Sequence, residues 1–126
     1  MITATSKKCD YITRLSDGQH TFYADTPISD GGSDMYQRPG DILASAYAAC
    51  VNITTRKVLD RENLPYEEVK VYVDIDRSDL DNLKIYTKTE ITADISEEKK
   101  QEIIQKVKRC PVCRMLAAEK EFLPME

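Results

Sequence analysis

The sequence predicts an α+β fold, with strands and helices segregated along the chain and not alternating as in βαβ units. Three observations carry this. An Asp-Gly turn joins two short β-type runs near the N-terminus, a long small-residue helix follows, and a second strand pair leads into two more helices.

Cys9–Leu15 and His20–Ala24, separated by Ser16-Asp17-Gly18-Gln19, are expected to be the strands of the first hairpin. Residues 25–40 hold Pro27, Gly31, Gly32, Pro39 and Gly40 with few apolar side chains, the composition of an ordered loop. Ile42 to Leu59 places Ile42, Leu43, Ala46, Tyr47, Ala49, Cys50, Ile53 and Val58 at helical spacings. Pro39 suits the first turn of that helix, and Asp41 sits where a carboxylate favours the helix dipole. The run Ala44-Ser45-Ala46-Tyr47-Ala48-Ala49-Cys50 has such small side chains that close packing against another element is expected.

After Leu64-Pro65, Val69, Val71, Val73 and Ile75 alternate with polar or amphipathic residues, the period of a half-buried strand. Asp79-Leu80-Asp81-Asn82 is a turn candidate, and residues 83–95 form the expected antiparallel return. Ser96, followed by Glu97 and Glu98, opens a helix with Ile103, Ile104 and Val107 on its apolar face. Pro111 marks the start of a last short helix.

The 126 residues suit one domain, 1–126, and two Phe with no Trp imply a thin core that an oligomer would complete. A net charge of −4 argues against a phosphate-binding surface, so no nucleic-acid partner is expected. With no long apolar run, neither a signal peptide nor a membrane span is expected, and the predicted location is the cytoplasm.

Four cysteines without an export signal point to catalytic, redox or metal chemistry more than to a disulfide framework. Cys110-Pro111-Val112-Cys113 spans a helix start, where backbone N–H groups favour the thiolate. Zinc would need a second ligand pair, and Cys9, Cys50 and His20 are scattered singly, so neither a metal nor a cofactor is expected. Cys50, on the small-residue face of the first helix, is either a buried structural cysteine or a nucleophile. Cys9 and His20 are expected to be plain strand residues.

Several blocks, in order, resemble the OsmC/Ohr family: Asp25-Thr26-Pro27 with Gly31-Gly32, the helix start from Pro39 through Ile42-Leu43-Ala44-Ser45-Ala46-Tyr47-Ala48-Ala49-Cys50, and Cys110-Pro111-Val112. With the predicted element order they cover most of the chain from Gly18 to Leu116. The resemblance implies an OsmC-like fold, with antiparallel sheet wrapped around long central helices in an intertwined homodimer. It implies a thiol-dependent hydroperoxide reductase in which Cys50 is peroxidatic and Cys110 resolves its sulfenic acid as a disulfide. The partners so implied are a small hydroperoxide and an external dithiol or lipoyl reductant.

The chain departs from the family pattern where Gly40 replaces a glutamate, with Asp41 one residue on. Arg38 is the nearest guanidinium, and Asp41 the carboxylate that would orient it. Cys113 stands where family members often carry serine and adds an alternative resolving thiol. Two other functions stay open: a thiol-redox or disulfide-exchange protein using Cys110 and Cys113, and a binder of a small lipophilic ligand.

Overall fold

The structure, a computed structural model, describes residues 1–125. Among them the elements are β1 (Thr3–Ser6), β2 (Thr13–Ser16), β3 (Thr21–Ala24), a 3-10 turn (Ile28–Asp30), α1 (Pro39–Arg61), β4 (Glu68–Asp76), β5 (Lys84–Thr92), α2 (Glu97–Val107) and α3 (Pro111–Ala117). This is the predicted α+β order. The chain divides into two compact units, Met1–Ser45 and the part from Ala46 onward.

The first unit is built on a three-stranded antiparallel meander, β1-β2-β3. Its second turn is the predicted one, with Gly18 at a φ of 100° and the Asp17 amide donating to the His20 carbonyl at 3.3 Å. β1 was not expected, and the first hairpin starts later than predicted. Cys9 therefore lies in the β1–β2 turn, where Asp10 has a φ of 45° and the Ile12 amide donates to the Cys9 carbonyl. His20 likewise precedes β3, its Nδ1 3.0 Å from Asp17 Oδ2.

The loop after β3 is ordered around one buried carboxylate. Asp25 accepts from the Thr26 amide at 2.7 Å, from the Ser33 hydroxyl at 2.5 Å and amide at 3.2 Å, and from the Met35 amide at 3.3 Å. These bonds, led by that of the Ser33 hydroxyl, hold its carboxyl below the usual aspartate range against the opposing effect of burial. Gly32 lies so close beneath Thr26 that any Cβ there would collide with the Thr26 carbonyl.

The second unit holds the helical core. The β4–β5 hairpin pairs Glu68 with Thr92 through to Asp76 with Lys84, and β5 ends three residues before the predicted limit. The alternation in β4 buries Val69 and half-buries Val71, Val73 and Ile75 on one side. Leu59, Val69, Ile91 and Ile103 form a buried cluster, so α1, the hairpin and α2 share one core. Asn52 Nδ2 adds a bond of 2.8 Å to the Val69 carbonyl.

Helix ends explain how the elements stop and start. α1 closes in a Schellman arrangement: Asn63 is left-handed at φ 56°, its amide donates to Asp60 at 3.1 Å, and the Leu64 amide donates to Leu59 at 2.9 Å. Ser96 caps α2 as predicted, accepting from the Lys99 amide at 3.1 Å. Glu62, just past α1, receives Lys106 at 2.9 Å and Lys99 at 3.3 Å, which pins the two helices together.

Candidate thiol site

Three of the four cysteines meet in the second unit. Val51, Val107 and Cys110 form a second buried cluster, and Tyr47, Cys50, Val58, Val71 and Cys113 pack against it. Each arrives by a local rule. Tyr47 and Cys50 are three apart on α1 and so share a face. Cys110 follows the last turn of α2, its amide donating to the Val107 carbonyl at 3.1 Å. It is the N-cap of α3, in the extended conformation that a following proline favours, at φ −61° and ψ 155°. One turn on, Cys113 lies on the same side of α3 as Cys110.

Exposure grades the three sulfurs. Cys110 is only 2 % exposed, whereas Cys50 and Cys113 are each partly exposed. Burial pushes the Cys110 thiol above its ordinary value of 9.0; the Cys113 amide opposes this, and contact with the Cys50 thiol and proximity to Cys113 reinforce it. Cys110 is thus the buried sulfur of the cluster, and Cys50 and Cys113 both pack against that cluster. All the cysteines are free thiols.

Tyr47 packs against the same cluster, Thr87 lines a small cavity with Tyr47, and neither was singled out from the sequence. Burial raises the Tyr47 pKa, with Thr87 opposing the shift and nearby Cys113 reinforcing it. The spacing of Tyr47 from Cys50 was a usable signal. Thr87 had none, because only the β4–β5 register brings it there.

Two concave features border the residues of this cluster. A cavity of about 100 Å³ is lined by Tyr47, Val51, Thr87, Thr89, Ile104 and Val107, with Lys108 at its edge. An open groove of about 810 Å³ is walled by Cys113 with Lys108, Arg109, Arg114, Pro111 and Met115. Cys113 thus has one side against the buried cluster and the other on a basic groove. Among the described residues no group of three His, Cys, Asp or Glu side chains is placed to hold a metal ion, and no helix is long and apolar enough to cross a membrane.

Arg38 and Asp41 lie in the first unit and pair with one another, Nε to Oδ2 at 3.1 Å, with side chains 50 % and 39 % exposed. Asp41 is thus both a first-turn carboxylate of α1 and the ion-pair partner of Arg38. Cys9 is exposed in the β1–β2 turn, outside any strand or helix.

A family model for OsmC-like protein matches residues 31–122. The chain belongs to the OsmC-like family. A comparison with curated protein sequences returns no match. Among solved structures, the chain is similar to an OsmC-like protein from Mycoplasma pneumoniae at 26% identity, with a TM-score of 0.79 over 92% of this chain and 85% of that one. It also shares its fold with the organic hydroperoxide resistance protein OhrB of Bacillus subtilis, at 23% identity, TM-score 0.63, and coverage of 93% and 89%. A third neighbour, from Legionella pneumophila, is described as an organic hydroperoxide resistance protein OsmC and predicted redox protein; identity is 19%, TM-score 0.67, and coverage 93% and 88%. The OsmC-like fold expected from the motifs around Cys50 and Cys110 is therefore the fold of this chain.

Proposed function

We propose that this OsmC-like protein is a thiol-dependent peroxidase that reduces organic or hydrogen peroxides in the cytoplasm. The observation that carries the proposal is the packing of the partly exposed Cys50 against the buried cluster that contains Cys110, although the two lie 60 residues apart in the sequence. Family neighbours described as hydroperoxide resistance proteins support it.

In this scheme the Cys50 thiolate attacks the outer peroxide oxygen. The O–O bond breaks, Cys50 becomes a sulfenic acid, and the inner oxygen leaves with a proton as water or an alcohol. The Cys110 sulfur then displaces hydroxide from the sulfenic sulfur, giving a Cys50–Cys110 disulfide and water. An external dithiol or lipoyl group reduces that bond and leaves as its own disulfide. The small apolar cavity beside Tyr47 and Val51 suits the alkyl part of a compact organic peroxide. At about 100 Å³ it is well below the roughly 300–1,000 Å³ of typical ligand sites, which counts against that cavity as the site of a lipophilic-ligand binder.

The second unit leaves Ile53, Tyr72, Ile85 and Tyr86 exposed, apolar area that a second copy of the chain would cover. A homodimer is part of the proposal, and sedimentation of a monomer at micromolar concentration would remove it.

The test of the chemistry is mass spectrometry of reduced protein after one equivalent of cumene hydroperoxide. Wild type should lose the free thiols of Cys50 and Cys110 together, and Cys110→Ser should hold a sulfenic acid on Cys50 that dimedone captures. If Cys50 stays reduced while Cys110 and Cys113 pair slowly, the protein is a disulfide-exchange protein and not a peroxidase.

A further inference from the structure

The scheme above ends with the oxidised bond in an awkward place. Its Cys110 half is nearly sealed from solvent, so an external thiol can reach the bond only through partly exposed Cys50, the sulfur that must be freed for the next peroxide. The chain offers a third thiol that this scheme does not use. Cys113 packs against the Cys50–Cys110 cluster on one side and walls the open groove on the other.

We propose that Cys113 takes over the disulfide from Cys50, passing oxidation from a Cys50–Cys110 bond inside the cluster to a Cys110–Cys113 bond at the groove. This inference rests on the peroxidase proposal and adds a residue to it. Three observations converge on it. Cys110 is buried in the cluster against which both Cys50 and Cys113 pack, so it can be bonded to Cys50 and attacked by Cys113. Cys110 and Cys113 sit at the N-cap and third positions of α3, the spacing at which a Cys-x-x-Cys pair closes without unwinding its helix. Finally, Lys108, Arg109 and Arg114 surround the exposed side of Cys113, where a thiol reductant carrying negative charge would be drawn.

The step balances without a further oxidant. Cys113, having given up its proton to solvent, attacks the Cys110 sulfur of the Cys50–Cys110 disulfide. The Cys110–Cys113 bond forms, the bond to Cys50 breaks, and Cys50 leaves as a thiolate ready for another peroxide. A reductant then opens the Cys110–Cys113 bond from the groove.

Reduced full-length protein is mixed with one equivalent of cumene hydroperoxide, quenched with acid at intervals, alkylated and mapped by peptide mass spectrometry. Cys113→Ser, Cys113→Ala and Cys50→Ser are run alongside. The expected course in wild type is an early Cys50–Cys110 disulfide that gives way to Cys110–Cys113 while Cys50 returns as a free thiol. Both Cys113 variants should stop at Cys50–Cys110, and only wild type should consume a second equivalent of peroxide before any reductant is added. A Cys50–Cys110 bond that persists in wild type overturns the relay and leaves the peroxidase intact. A Cys110–Cys113 bond that forms as fast in Cys50→Ser also overturns it, since the pair is then oxidised directly. Loss of all Cys50 oxidation in wild type defeats the underlying peroxidase proposal instead.

Discussion

Burial of Cys110 predicts a steep pH dependence for the step that closes the first disulfide. The perturbation is pH itself, varied from 6.5 to 8.5 in the Cys113→Ser protein so that Cys50 and Cys110 are the only sulfurs of the cluster. A thiol reacts as its thiolate, and the Cys110 pKa lies above 9.0 because burial favours the neutral form. With a pKa at 9.0, the thiolate fraction would rise from about 0.3% to about 24% over that range, roughly 80-fold, and a higher pKa takes the ratio toward about 100-fold. A thiol tuned to a pKa near 7 would gain only about fourfold. The chain has no tryptophan, so the step is best followed by rapid acid quench and mass spectrometry, counting sulfenic acid and disulfide after one equivalent of peroxide. A rate that levels off below pH 8 would refute the reasoning, because it would mean that Cys110 is activated and not suppressed. The same shift has a stability consequence of definite sign. A thiol pKa raised by folding stabilises the native state at and below neutral pH, and that contribution is lost as pH rises through the folded value.

Three further predictions concern the frame around the site. Leu59→Ala removes a side chain with no exposure at the centre of the core shared by α1, β4, β5 and α2, and should cost about 2–5 kcal/mol, read as a lower urea midpoint at unchanged slope. Gly32→Ala forces a Cβ onto the Thr26 carbonyl and should loosen the loop around Asp25, seen as faster amide exchange at Ser33 and Met35 with the second unit unaffected. Asp25→Asn replaces an acceptor with a donor facing Ser33. Because folding lowers the Asp25 pKa, its carboxylate stabilises the fold above the ordinary value of 3.8, and this is lost as pH falls through the lower folded value. The variant should therefore be less stable than wild type at neutral pH and converge with it in acid, as followed by urea unfolding at several pH values.

Much of this fold is written in short-range signals. Pro39 and Asp41 mark the start of α1, Ser96 caps α2, and Pro111 opens α3, each a local backbone requirement legible from a few residues. The alternating valines of β4 predict which side of the hairpin is buried. β1 was missed because Thr3–Ser6 is exposed throughout and joins the sheet by backbone pairing to β2, leaving no apolar pattern to find. Cys9 and His20 were placed in strands because residue type favoured it, whereas the turns at Asp10 and Asp17–Gly18 claim them.

The site was legible in the same uneven way. Cys50 and Cys110 stood out by family motif, and Cys113 by its Cys-x-x-Cys spacing. That Cys110 is the buried sulfur depends on Val51 and Val107 packing with it, and that Thr87 lines a cavity with Tyr47 depends on strand register. Neither is a property of any local stretch of sequence. The Arg38–Asp41 pair is an i, i+3 contact and was accessible from spacing alone.

The most direct test of the central claim is dithiol-dependent turnover of cumene hydroperoxide by wild type and by Cys50→Ser at matched concentration, with dihydrolipoamide as reductant. The account predicts catalytic turnover in wild type and a fall to the uncatalysed rate in Cys50→Ser, with both proteins folded by circular dichroism. Equal turnover in the two would contradict it and place any redox activity on Cys110 and Cys113 alone.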